Sequence, residues 1–153
     1  MNNIEKDIKI LIANGVNLSQ LGSREIDIYG HLSFEEYLNL LKTNYKHIQF
    51  DFFQSDNEGE LASHIANAQA YDGIILNAGA YTHTSVILAD AIRTTSCPVI
   101  EVHISNLFGR EQYRRQSILS KYCVGFIAGF GLNSYQLAVE SILIKKNPII
   151  KLS

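Results

Sequence analysis

Gly73–His103 reads GIILNAGAYTHTSVILADAIRTTSCPVIEVH. The apolar run Gly73–Leu76 gives way to a polar stretch of small and hydroxylated residues. Helical spacing then starts near Thr84 and ends before Pro98, and Val99–His103 is β-rich again. A strand with no polar alternation is one covered on both faces, which is how strands of parallel sheets read. Strand, helix and strand in this order form a parallel crossover unit. The same reading extends outward to strands at Ile8–Ala13, His47–Phe53 and Val124–Ala128. Helices fit between them. Ser33 with Glu36 makes a capping box ahead of Phe34, Tyr37, Leu38, Leu41 and Tyr45. Asn57 with Glu60 repeats the cap signal before Leu61, Ile65 and Ala68. The last helix runs from about Asn133 to Lys146, with Tyr135, Val139, Ile142 and Leu143 on one face. The expected fold is α/β: a flavodoxin-like, doubly wound sheet of five parallel strands with helices on both faces.

The chain of 153 residues suits one domain with its own core. We expect residues 1–153 to form that domain, with residues 8–146 as its ordered α/β part. At 46% hydrophobic and 18% charged residues the composition argues against disorder, and a net charge of -2 gives no reason to expect nucleic acid or an anionic membrane as partner. No apolar run approaches the ~20 residues of a membrane-spanning helix. The stretch Met1–Lys9 is polar, so a cytoplasmic location is expected. Cys97 and Cys123 are too few for a disulfide framework or a zinc site and read as buried free thiols.

Doubly wound sheets bind ligands beyond the C-terminal ends of their strands. That rule selects Asn14–Gly30, Gln54–Glu58, Asn77–Thr84 and His103–Ser117. The first and last exceed the ~2–6 residues usual for such loops, and long polar loops there tend to serve function. Asn14–Gly30 carries Asn17, Arg24, Glu25 and Tyr29. It suits a solvated loop with a packed tyrosine as well as it suits a base. A phenol with an ordinary pKa of about 10 needs help to act as one, and a neighbouring guanidinium supplies it. Asn77–Ser85 carries Asn77, His83 and several hydroxyls before a helix, where free backbone N–H groups suit anionic or hydroxylated ligands. Simple capping by Thr84 or Ser85 explains the hydroxyls equally well, and Tyr81 reads as packing.

His103 ends the fourth strand, and Glu101, two residues earlier, points to the same face. A carboxylate so placed orients an imidazole for acid–base work, although an isolated strand-end histidine is more often structural. Arg110, Arg114 and Arg115 read either as a solvated basic face or as a clamp for a carboxylate or polyol. His31, His47 and His64 have no partner pattern. The chain lacks HExxH, CxxC, GxSxG, GxGxxG and GxxxxGK[ST], so a metal, a nucleophile elbow, a dinucleotide and a P-loop are not indicated.

Taken together, these segments resemble type II 3-dehydroquinate dehydratase, from Ile10 to about Leu143. The family's NGPNL, RE and YG are matched by Asn14–Leu18, Arg24–Glu25 and Tyr29–Gly30. FQSNHEGEL is matched by Phe53–Leu61 with Asp56 and Asn57 inside it. NAGAYTHTS stands at Asn77–Ser85, followed by Asp90. EVHISN stands at Glu101–Asn106, followed by Arg110, Arg114 and Ser117. Each motif alone is moderately specific; five in order are highly specific. Val16 replaces the usual proline and should loosen the turn to Asn17, Phe108-Gly109 replaces His-Ala, and Gln116 replaces a common histidine.

The resemblance implies dehydration of 3-dehydroquinate to 3-dehydroshikimate through an enolate, without Schiff base, metal or organic cofactor. The setting would be aromatic amino acid biosynthesis or quinate catabolism. It implies Tyr29 as base, Arg24 as the group that favours its phenolate, and Asn17 holding a water against the enolate oxygen. His103, oriented by Glu101, would be the acid. Asn77, His83, Arg114 and the backbone N–H groups of Ile104 and Ser105 would bind the substrate. Asp90 would reach a neighbouring subunit's site in a dodecamer that is a tetramer of trimers, and Arg110 with the Arg24–Tyr29 loop would form a lid. A flavin-binding or receiver module is one rival reading, and a degenerate homologue kept for oligomer contacts or scaffolding is another, although every residue the family pattern makes catalytic is in place. NGVNLSQLG is poor in the Ser/Thr run a flavin phosphate loop uses, and a receiver's acidic pair after the first strand is missing.

Overall fold

The computed structural model describes residues 8–18, Gly22 and residues 31–150. Among them five strands form one parallel sheet in the order β2-β1-β3-β4-β5, the flavodoxin-like order expected. The strands are β1 (Ile8–Asn14), β2 (Ile48–Gln54), β3 (Gly73–Asn77), β4 (Val99–His103) and β5 (Gly125–Ala128). The first three each run one residue further than their apolar pattern, so that Asn14, Gln54 and Asn77 end them inside the ladder. Polar residues are placed there by the hydrogen-bond register and escape an apolar count.

The four helices are α1 (Phe34–Asn44), α2 (Glu58–Ala66), α3 (Val86–Thr94) and α4 (Asn133–Lys146). At α1 the capping box is complete: Ser33 Oγ accepts from Glu36 N–H, and Glu36 accepts from Ser33 N–H. At α2 only half forms. Asn57 Oδ1 accepts from Glu60 N–H, but the Glu60 carboxylate accepts from Ser55 Oγ at 2.6 Å instead. The third helix begins at Val86, with Ser85 as its cap, because Gly79–His83 forms a 3-10 turn first.

Alternate strand residues feed two cores, as the period of a pleated strand requires. On one face Ile10, Ile12, Ile75, Ile100 and Val102 meet α1 and α4, whose Phe34, Tyr37, Leu41, Tyr135 and Val139 are buried there. On the other, Leu11, Ala13, Ile74, Leu76 and Val99 meet α2 and α3. Leu143 is only partly buried at the margin of the first core. Cys97 is buried, whereas Cys123 is half-buried; both are free thiols. Cys123 follows the turn Ser120–Tyr122 at the rim of the sheet and so does not sit deep in a core as its apolar neighbours suggested.

Candidate active site

Four polar residues mark the C-terminal edge of the sheet: Gln54 on β2, Asn14 on β1, Asn77 on β3 and His103 on β4. Gln54, Asn14 and Asn77 are register partners across three neighbouring strands. The loops that follow β1 and β3 touch backbone to backbone. A Cβ on Gly15 would lie 2.5 Å from Ala78 O, and one on Gly79, whose φ is 61°, would lie 2.8 Å from Val16 O. Only glycines allow this approach. Asn17 takes the left-handed region with φ 65°, which asparagine tolerates, and its N–H donates to Asp56 Oδ1 at 3.0 Å. The turn after Val16 is thus tied to the loop after β2 despite the missing proline. Gln54 adds a second tie, its Nε2 donating to Gly15 O at 3.3 Å as well as to Asp56 Oδ1 at 3.1 Å.

The centre of the site is a buried carboxylate and its donors. Glu101 is fully buried and His103 nearly so, and His103 Nε2 lies 2.6 Å from Glu101 Oε1. Their i, i+2 spacing on β4 puts both on the face of Val99, opposite Ile100 and Val102. Thr82 Oγ1 also donates to Glu101 Oε1, and Ser117 Oγ reaches both carboxylate oxygens, at 2.8 and 2.9 Å. Burial pushes the Glu101 carboxyl up. The hydrogen bond and charge of His103, with the two hydroxyls, outweigh that and hold it below its ordinary value. With Nε2 engaged by Glu101, Nδ1 is the nitrogen that offers a proton when the ring is charged.

A second buried network joins β1 and β3 through α4. Tyr135, fully buried, donates to Asn14 Oδ1 at 2.7 Å and accepts from Asn77 Nδ2 at 2.9 Å. Asn77 Oδ1 accepts from Gly79 N–H. The amide of Asn77 is therefore oriented from both ends. Among the described residues, Nδ2 of Asn14 is buried without a hydrogen-bond partner.

Of the remaining expected site residues that the structure describes, all but Asp90 fall around this edge. His83 Nδ1 lies 2.6 Å from Gln116 O. That contact uses the main chain, so the exchange of histidine for glutamine at 116 leaves it available. Ile104 follows His103 directly and accepts from Gly131 N–H, and Arg110 Nη1 reaches Ser105 Oγ at 3.4 Å. Arg114 is partly buried, its Nε 3.3 Å from Glu111 Oε2 without an aligned hydrogen bond. Arg115 is exposed and donates to Arg110 O at 2.9 Å. Tyr81 packs as expected and also donates to Asp56 O. Asp90 stands apart, exposed on α3 and 3.8 Å from Arg93. Tyr29, Arg24 and Glu25 lie outside the described residues. Thr82, Ser117, Asn14 and Tyr135 were missed as site residues. The hydroxyl run of NAGAYTHTS was the available signal for Thr82; Tyr135 read only as a core residue. Among the described residues no cluster of three His, Cys, Asp or Glu is arranged to hold a metal ion.

A family model described as dehydroquinase class II matches residues 8–143. The chain is 45% identical over 137 residues to a 3-dehydroquinate dehydratase of Pelodictyon phaeoclathratiforme, covering 88% of this chain and 91% of the relative. It is 47% identical over 142 residues to a 3-dehydroquinate dehydratase of Fusobacterium nucleatum, covering 89% and 97%. The crystal structure of a type II dehydroquinase from Butyrivibrio crossotus superimposes with a TM-score of 0.85 at 39% identity, covering 89% of this chain and 97% of that one. With this sheet order, this strand-end chemistry and this extent of similarity, the chain belongs to the class II dehydroquinase family, whose members dehydrate 3-dehydroquinate.

Proposed function

We propose that this chain converts 3-dehydroquinate to 3-dehydroshikimate by an enolate elimination in which Tyr29 is the base and His103 the acid. The observation that carries the division of roles is the His103–Glu101 pair at the C-terminal end of β4. The substrate is a β-hydroxy ketone. Tyr29, as phenolate, takes a proton from the carbon beside the ketone, and the electron pair moves onto the carbonyl oxygen. The enolate then collapses, the carbon–oxygen bond to the leaving hydroxyl breaks, and His103 supplies the proton that makes it water. Arg24 favours the phenolate by its charge. Asn17 holds a water against the enolate oxygen, a preorganised dipole of the oxyanion-hole kind. Glu101 orients His103 and stabilises its charged form.

Asn77, His83, Arg114 and the N–H groups of Ile104 and Ser105 bind the ring hydroxyls and carboxylate in this reading. The oriented amide of Asn77 and the location of the others at one sheet edge support it. Arg110 closes over the site with the Arg24–Tyr29 segment. The exposed Asp90 serves the site of a neighbouring subunit in a dodecamer built from trimers; exposed Phe108, Val124 and Phe130 give such an assembly apolar surface to cover. The two free thiols are consistent with a cytoplasmic setting, where thiols stay reduced. No helix among the described residues is long and apolar enough to cross a membrane. The whole chain acts as one catalytic domain, in aromatic amino acid biosynthesis or in quinate breakdown, which share this reaction.

The test mixes purified protein with 3-dehydroquinate and follows ultraviolet absorbance. Dehydration creates an enone conjugated to the carboxylate-bearing carbon, so absorbance rises. A flat trace from folded protein refutes the assignment.

A further inference from the structure

We propose that Thr82 and Ser117 are positioning residues that divide the charge of Glu101 with His103 and so set how readily the imidazole gives up its proton. The inference rests on His103 acting as the acid and goes beyond it by naming what tunes the acid. Glu101 takes hydrogen bonds from His103, Thr82 and Ser117 at once, and Ser117 spans both of its oxygens. Thr82 is fully buried, so no solvent replaces its hydroxyl. Ser117 Oγ in turn accepts from the backbone N–H groups of Leu119 at 3.1 Å and Ser120 at 3.0 Å. Two backbone dipoles thus polarise the hydroxyl that faces the carboxylate, and such chains strengthen one another.

Both hydroxyls are held by the chain around them. Ile118 N–H donates to Thr82 O at 2.9 Å, and His83 meets Gln116 O, so the segments on either side of the carboxylate are joined. The sign of the effect follows from the dipoles. Each hydroxyl presents its positive end to Glu101 and stabilises negative charge on the Glu101–His103 pair. Stabilising the anion lowers the pair's affinity for a proton, which makes His103 a stronger acid. Removing a hydroxyl leaves the carboxylate charge concentrated on the imidazole, which then holds its proton more tightly.

On the surrounding elements, among the described residues, β3 carries no titratable side chain, and β5 presents Phe126, its ring 5.5 Å from that of His103. Burial, with the charge of Glu101 adding to it, pushes the Cys123 thiol up to about 12, so Cys123 carries no charge near neutral pH. His83 is held by Gln116 O and Arg110 reaches Ser105.

A purely structural role, satisfying a buried charge, would change stability alone. The experiment is a nuclear magnetic resonance titration of His103 in the full-length enzyme, compared among wild type, Ser117→Ala, Thr82→Val and Thr82→Ser, with kcat measured against pH in parallel. We expect the His103 midpoint to rise in Ser117→Ala and Thr82→Val and to return in Thr82→Ser. In the first two, kcat should fall by about tenfold, the scale of one hydrogen bond to a charged group. The alkaline limb of the kcat profile should move to higher pH. A midpoint that stays put or falls in folded Ser117→Ala and Thr82→Val overturns the proposal. Midpoints that rise in a protein whose wild type does not turn over 3-dehydroquinate support the shared charge and overturn the assigned function instead.

Discussion

At the residue scale the reaction needs one group that takes a proton and another that gives one. Glu101 and His103 were legible because strand geometry alone puts residues two apart on one face. Their partners were not. Thr82 and Ser117 stand 19 and 16 residues from Glu101 and meet it only because the 3-10 turn after β3 and the loop after β4 fold against each other. The assigned roles separate in an isotope experiment. Tyr29→Phe removes the proposed base, so turnover should drop by ~10²–10⁴-fold and solvent deuterium should not enter the carbon beside the ketone. His103→Ala should stall departure of the hydroxyl and leave proton abstraction working, so deuterium should exchange faster than water is lost. This expectation requires the abstracted proton to equilibrate with solvent. Equal loss of exchange in both variants would make His103 part of proton abstraction. Arg24→Ala should shift the basic dependence of activity to higher pH, because the phenol then reverts toward its ordinary value. An unmoved profile would reduce Arg24 to a lid or substrate contact.

At the element scale the site depends on how α4 is pinned to the sheet. Tyr135 bonds the ends of β1 and β3 together while its ring packs against Phe34 and Tyr37 of α1, at 4.9 and 6.1 Å between centroids. The helical spacing of the apolar residues placed Tyr135 in the core correctly. The use of its hydroxyl depended on which strand ends lay beneath the helix, a matter of sheet order. Tyr135→Phe keeps the ring and leaves the amides of Asn14 and Asn77 without their shared partner. It should destabilise the protein by ~1–3 kcal/mol, read as a lower denaturant midpoint at unchanged slope. A midpoint equal to wild type would show that the two amides find other partners. The exchanges at Val16 and Phe108-Gly109 make sense at this scale too. Val16 lies in a turn already tied to Asp56 through Asn17, and a Cβ at Gly109 would meet nothing within 4 Å.

At the scale of the whole molecule, ionisation and assembly decide stability. Tyr71 holds the Asp51 carboxyl below its ordinary 3.8; burial opposes the same for Asp72, but Lys146 at 2.7 Å prevails. Glu101 is held below its ordinary 4.5. Each favours the folded state when ionised, so its contribution is present above the ordinary value and lost as pH falls through the depressed one. Burial pushes Tyr37 and Tyr71 from 10.0 up to about 12, with Asp51 adding to Tyr71. Their neutral forms favour folding, a contribution present below pH 10 and lost as pH rises toward 12. Thermal melts should therefore show a stability plateau between the carboxylate and phenol ranges, with losses on both sides. A melting temperature that keeps rising as pH falls below 4 would contradict it. The proposed assembly has its own measurement: sedimentation at assay concentration should find a closed oligomer, and a fully active monomer would remove Asp90 from the site. The sequence by itself determined the strands, the helices, their alternation and the strand-end motifs. Those depend on local periodicity and on capping residues three positions apart. Only the tertiary structure decided that Thr82 and Ser117 share Glu101 and that Tyr135 bridges Asn14 and Asn77. The same holds for Asp56 anchoring the turn at Asn17. These contacts join residues brought together by strand order and loop packing, where buried polar groups must find donors and acceptors at any sequence distance.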